Sequence, residues 1–187
     1  MVENWNDVNK YWDGRDDYLC WGAAIANALS FTGLLDRAPY EIYDMIRAGS
    51  NRERHWIYQA ITAFYRIELQ REVPVNCFKI LPPSSIWVLN EMERIGACAI
   101  LGLTDEDGLN GHALTAYRTK ENIDFASNDP RSVKQLFCAD SDDDMEELFW
   151  LETEYNIREK KARLKYKEGF VLRCAVLVLP KNWRSTT

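Results

Sequence analysis

The stretch KYWDGRDDYLCWGAAIANAL, residues 10–29, joins a polar loop to the start of an apolar helix. Its first half carries a glycine and two adjacent aspartates. Its second half carries no charge and contains four alanines, which favour a helix strongly. Gly33, a few residues later, is typical of a helix end. We therefore predict a buried helix over residues 20–32 that starts at Cys20.

Cys20 would lie in the first turn of that helix. The unpaired N–H groups at a helix start carry roughly half a positive charge, which favours the ionised, nucleophilic form of a thiol. The alternative is a buried core thiol, a common environment for cysteine. The other four cysteines lie far apart in apolar runs, so we expect core thiols and neither a disulfide framework nor a structural zinc site. They are Cys77, Cys98, Cys138 and Cys174.

The composition is typical of one folded domain: 187 residues, 47% hydrophobic and 28% charged. There is no repeat, low-complexity segment or linker, so residues 1–187 are interpreted as a single domain. The net charge of −6 argues against a nucleic-acid partner, because phosphate binding needs a basic surface. No run approaches the roughly 20 apolar residues of a membrane span, and the polar N-terminus is not a signal peptide. We predict no membrane insertion, no metal and no cofactor.

Helical patterns occupy the first half of the chain and strand patterns the second half. The predicted helices span 20–32, 39–47, 56–65 and 85–95. The predicted strands span 97–103, 112–117, 123–126, 135–140 and 170–179. The stretch 66–83 has an irregular pattern, 145–161 is typical of helix or loop, and the basic stretch 158–167 of a solvated helix face. This segregation indicates an α+β fold with a largely antiparallel sheet.

His112 and Asp140 are candidates for a catalytic set with Cys20. His112 opens a predicted strand after a turn that contains two glycines, and Asp140 ends a strand expected to lie beside it. A carboxylate there orients an imidazole and stabilises its charged form. The structural alternatives are a hydrogen-bonded core histidine and an acidic solvated turn, whose alternating aspartates match a calcium loop only in part. Asp129, before Pro130, is a rival carboxylate; we favour Asp140 because an apolar strand leads into it.

A thiol at a helix start, a histidine at a strand start and a later carboxylate, in that order, form the papain-type arrangement. The segment 10–27, with Gly14 and the pair Asp16-Asp17 ahead of Cys20, resembles the active-site segment of the IdeS/Mac-type cysteine proteases. These are secreted bacterial enzymes with a papain-like fold, and their best-known members cut immunoglobulin G in the hinge. The likeness continues at Gly111-His112 and at Asp140-Ser141-Asp142.

The resemblance implies a papain-like fold, with N-terminal helices packed on a C-terminal sheet, and a cysteine endopeptidase activity. It assigns Cys20 as the nucleophile, His112 as the general base, Asp140 as the carboxylate that orients it and Asp142 as a supporting carboxylate. Lys10 matches the lysine that forms the family's oxyanion hole with the N–H of the cysteine. A fixed cation there stabilises the developing charge. The implied partner is a protein substrate, such as immunoglobulin or another host protein, and the implied location is secreted or injected.

The chain departs from the family in three respects. It is shorter than the immunoglobulin-cleaving members, the spacing from His112 to Asp140 is longer, and its first residues lack the pattern expected of a secretory leader. The substrate therefore stays open, and a ubiquitin-like isopeptidase or an effector acyl-transfer enzyme would use the same triad. A catalytically silent protein-binding module is a further alternative, since the seven tryptophans would also suit a protein interface.

Overall fold

The computed structural model describes residues 20–49, 57–105, 107–108, 111–120, 135–140, 149–156, 158, 161–164 and 170–183. The α-helices are α1 (Cys20–Phe31), α2 (Pro39–Ala48), α3 (Ile57–Ala63) and α4 (Met92–Ile95). A π-helical turn over Phe64–Glu68 follows α3, and 3₁₀ turns span Val75–Cys77 and Pro83–Glu91. The strands are β1 (Phe78–Leu81), β2 (Cys98–Thr104), β3 (Gly111–Lys120), β4 (Gln135–Ala139), β5 (Phe149–Asn156), β6 (Lys161–Leu164) and β7 (Val171–Val178).

The seven strands form one antiparallel sheet in the order β1-β7-β2-β3-β4-β5-β6. A further antiparallel pairing joins β6 to β7 at Arg163 and Val171. The strands from β2 to β7 therefore close into a barrel, and β1 adds to the other part of the same β7 edge. Closure leaves few free strand edges, which are otherwise prone to pair with other chains.

The described residues form two apolar clusters. The barrel interior is built from alternate residues of its strands, as the period of a pleated strand requires. Its members include Leu101, Leu114, Leu136, Cys138, Leu151, Leu172 and Leu177. The second cluster lies between the helices and the outer face of β2, β3 and β7, where Ile100, Ala113 and Val176 face α1 to α3. Burial of this apolar area is the main favourable contribution to folding.

Helix α1 packs closely on β3 because half of its buried residues are alanine and one more is glycine. The Thr115 hydroxyl donates to the Ala24 carbonyl at 3.3 Å, and the Phe31 ring meets Tyr117 edge-on with 5.1 Å between centroids. Gly33, with φ of +67°, ends the helix region in the left-handed conformation that glycine adopts without strain. The arrangement fixes Cys20, the first residue of α1, relative to the start of β3.

Gly102 allows the start of α3 to approach β2. A Cβ at this position would lie 3.1 Å from both the Cys174 sulfur and the Ile57 Cδ1. That spacing is tighter than ordinary van der Waals contact, so the Cys174 and Ile57 side chains would have to shift by a few tenths of an ångström to admit a Cβ.

The predicted α+β class with an antiparallel sheet is confirmed, and so are the helix at 20–31 and the strands β2, β3, β4 and β7. The prediction for 145–161 was wrong, because Phe149–Asn156 is strand β5 and Lys161–Leu164 is strand β6. The solvated helix face predicted over 158–167 was wrong at Lys161–Leu164 for the same reason, and 159–160 and 165–167 lie outside the described residues. The stretch 66–83 contains β1, and most of the helix predicted over 85–95 is 3₁₀. The strand predicted at 123–126 lies outside the described residues.

Candidate active site

Cys20 is the first residue of α1 and is half-buried, whereas the helix from Gly22 to Leu29 is buried. The sequence explains this placement, since the apolar alanine run starts just after the cysteine and anchors the helix in the core. The first N–H groups of a helix have no partner within the helix. The thiol therefore sits beside backbone donors at the edge of the helical layer.

His112 and Asp140 lie at one end of the barrel, which we call the barrel rim, where β3 begins and β4 ends. The register pairs Thr115 with Ala139, so Asp140 continues to a position opposite Leu114. His112 is two residues from Leu114, which makes His112 and Asp140 diagonal neighbours on one face of the sheet. Long side chains at such positions are within reach of each other.

The His112 Nε2 and the Asp140 Oδ1 are 2.7 Å apart. Both residues are buried, with 6% and 3% of their surfaces exposed, so the bond is shielded from water. A hydrogen bond to a carboxylate in such a place is short and strong. When the imidazole is neutral, this bond places its proton on Nε2 and leaves Nδ1 as the acceptor.

The Cys20 thiol lies beside the His112 imidazole, close enough for a side-chain hydrogen bond. Burial by itself lowers the pKa of His112, but the hydrogen bonds to Asp140 and Cys20, with the negative charge that both can carry, raise it to about 10. The structure thus brings a thiol, an imidazole and a carboxylate from α1, β3 and β4 into one connected chain. The imidazole lies between the other two groups.

The remaining cysteines have different surroundings. Cys98 and Cys138 are fully buried, as the sequence predicted, and burial raises the pKa of both thiols above the usual range. Cys77 and Cys174 are half-buried rather than core residues, and burial raises their pKa as well. Cys174 is therefore half-buried like Cys20, but it lies on β7 and not in the first turn of an α-helix.

Three predicted site residues lie outside the described residues: Lys10, Asp142 and Asp129. Of the two rival carboxylates, Asp140 is the one whose contact with His112 the structure describes. The roles assigned to Lys10 and Asp142 remain predictions.

Thr115 is a buried polar residue at this site that the sequence analysis missed. It lies on the same face of β3 as Ala113 and Tyr117, and its hydroxyl reaches the backbone of α1 one turn after Cys20. A polar residue at an otherwise apolar position of an alternating strand was the available signal. The partner of its hydroxyl depends on how α1 packs, which the strand pattern does not contain.

Trp21 lines a small recess beside the start of α1, together with residues of α2 and α3 and the side chain of Glu68. The recess has a volume of about 20 Å³, which is room for about one water molecule. It is too small to accept a substrate side chain in this form.

Within the described ranges, no group of three or more His, Cys, Asp or Glu side chains is placed to hold a metal ion. In the same ranges, no helix has the length and apolar character needed to cross a bilayer. Comparisons of the chain with protein-family models and with curated proteins found no match.

Proposed function

We propose that this chain is a papain-like cysteine protease, related to the IdeS/Mac-type enzymes, that hydrolyses peptide bonds of a protein substrate. The observation that carries the proposal is the placement of His112, which is hydrogen-bonded to Asp140 and lies beside the Cys20 thiol. A nucleophile within reach of a base, which a third group orients, is the arrangement expected for covalent catalysis. The helical layer packed against an antiparallel barrel supports the papain-like fold.

In the first step, Nδ1 of His112 takes the proton of the Cys20 thiol and the sulfur attacks the carbonyl carbon of the scissile bond. The carbonyl π electrons move to oxygen and form an oxyanion. The raised pKa of His112 favours this proton transfer. Asp140 accepts the Nε2–H bond, so it holds the ring in place and stabilises the imidazolium.

The oxyanion needs donors that are in place before the reaction. The Cys20 N–H is suited to this, since it is among the first amides of α1 and has no partner within the helix. The family resemblance adds the ammonium group of Lys10. The positive end of the helix dipole acts in the same direction.

Collapse of the intermediate breaks the carbon–nitrogen bond, and the imidazolium gives its proton to the leaving amine. A thioester between Cys20 and the acyl part of the substrate remains. Water then gives a proton to His112 and attacks the thioester, which releases the carboxylic acid and restores the thiol.

The test is a cleavage assay with immunoglobulin, ubiquitin chains and a peptide library, read by mass spectrometry. We expect at least one set to be cut by the wild type and by Cys174→Ala, and none by Cys20→Ala. Cys174→Ala is the matched control because this thiol is also half-buried. Cleavage by Cys20→Ala at the wild-type rate would overturn the proposal, and a failure to cut any set would favour the binding module.

A further inference from the structure

We propose that Thr115 is a positioning residue that sets the distance between the Cys20 thiol and the His112 imidazole. The inference rests on the proposed function, because it concerns the same site. Thr115 lies on β3, three residues after His112, and is 1% exposed. Its hydroxyl donates to the Ala24 carbonyl, one helical turn after Cys20, at 3.3 Å.

The same residue also lies next to the third member of the site. In the β3–β4 register, Thr115 pairs with Ala139, the residue immediately before Asp140. A single buried side chain therefore stands where the segments that carry the thiol, the imidazole and the carboxylate meet. The strand register fixes His112 relative to Asp140, and the Thr115 hydroxyl links both to α1.

The Thr115 hydrogen bond is directional, unlike the apolar contacts that make up most of the α1 packing. Apolar contacts of alanines are non-directional and tolerate small shifts along a helix. A hydrogen bond weakens steeply when its angle or distance changes. A second contact joins α1 to β2, from the Cys98 sulfur to the Ala28 carbonyl at 3.9 Å, but a thiol is a weak donor and this contact lies one turn further from Cys20.

The Thr115 hydroxyl has polar neighbours on both α1 and β3. Its one proton goes to Ala24, whose carbonyl has a second lone pair besides the one used within the helix. Tyr117, on the same face of β3, is close enough to hydrogen-bond with this hydroxyl. The Tyr117 ring is held in turn against Phe31, near the far end of α1. The Thr115 side chain is thus held in one orientation.

The test compares Thr115→Val, which keeps the shape and removes the hydroxyl, with Thr115→Ser, which keeps the hydroxyl. The matched control is Thr32→Val, since the buried Thr32 hydroxyl donates at 2.7 Å to the Ala28 carbonyl within the helical region itself and does not link α1 to β3. The readout is the pH profile of Cys20 alkylation by iodoacetamide, resolved by mass spectrometry, with thermal unfolding measured in parallel.

We expect Thr115→Val to lower the neutral-pH alkylation rate of Cys20 about tenfold, because misplacements of about 1 Å cost catalytic groups up to a hundredfold. Thr115→Ser and Thr32→Val should keep the wild-type profile. Thr115→Ala removes the hydroxyl with less crowding and replaces the valine variant if that variant does not fold.

The outcomes separate this proposal from the proposed function. A wild-type Cys20 that reacts no faster than Cys174 overturns the proposed function, and the positioning role with it. If Cys20 is reactive in the wild type and its alkylation profile is the same in Thr115→Val, only the positioning role is overturned. The same holds for Thr115→Ala where it replaces the valine variant. An equal loss in Thr32→Val, or a loss in folded Thr115→Ser, also overturns it, because the hydroxyl link would not be the cause.

Discussion

The barrel interior and the barrel rim are built from the same two strands but differ in chemistry. In the interior, β3 and β4 contribute Leu114, Leu136 and Cys138, which are fully buried and apolar. At the rim, His112 at the start of β3 and Asp140 directly after β4 are polar, and they are almost as buried as the interior residues. Apolar burial stabilises the fold by about 25 cal/mol per Å².

A buried charged pair contributes less to stability than its short distance suggests, because removing both groups from water offsets most of their attraction. Neighbouring residues of one strand therefore have different roles. The interior residues hold the barrel together, and the rim residues supply the chemistry. Substitutions in the two regions should affect different measurements.

The largest expected difference is between Cys20→Ala at the site and Cys138→Ala in the interior. Loss of the nucleophile should reduce turnover by roughly 10⁵-fold or more and leave the melting temperature nearly unchanged. Loss of the buried Cys138 sulfur should lower the free energy of unfolding by about 1 kcal/mol and leave turnover intact. Peptide hydrolysis and urea unfolding of both variants check this, and a stability loss in Cys20→Ala with unchanged turnover would contradict it.

Next in size is the effect of Asp140→Asn, which keeps the volume and removes the charge. An amide can donate to Nε2 and so select the wrong imidazole tautomer, and we expect turnover to fall by about 10²–10⁴-fold. The control is Asp107→Asn, because Asp107 is exposed in the turn before β3. Hydrolysis rates of both variants test the prediction, and equal rates would show that the carboxylate at the rim has no special role.

Much of this comparison was accessible from the sequence, for identifiable reasons. The alanine run of α1 and the continuous apolar runs of β2 and β7 allow one interpretation each. The contact of His112 with Asp140 was expected, since each residue stands at the end of a strand and the two strands were predicted to be neighbours. The choice of Asp140 over Asp129 followed from the apolar strand that precedes it.

Other parts were not accessible, because they depend on tertiary pairing. Residues 150–153 of strand β5 alternate between exposed and buried. Glu152 and Glu154 are good helix formers, however, so the sequence did not indicate a strand there. Strand β1 is four residues long and has no alternation, since its two middle residues, Lys79 and Ile80, are both exposed. Its strand conformation comes from pairing with β7. The Thr115 bond depends on helix packing, which no local pattern encodes.

The third expected effect is a pH dependence of stability that comes from the rim. The pKa of His112 is raised in the folded chain, so its protonated form stabilises the fold. That contribution is complete below the unfolded pKa of about 6.5 and is lost as the pH rises towards about 10. Urea unfolding between these values should show the wild type losing stability relative to His112→Gln. A wild type that gains stability relative to His112→Gln as the pH rises would contradict this prediction.

The central claim is that Cys20, His112 and Asp140 act as one unit, and the alkylation of Cys20 tests it most directly. Iodoacetamide rates for Cys20 and Cys174 would be measured at pH 7 in the wild type and in His112→Gln. The account predicts that Cys20 reacts roughly tenfold faster than Cys174 in the wild type and that this preference disappears in His112→Gln. Equal rates in the wild type, or a preference that survives in His112→Gln, would contradict it.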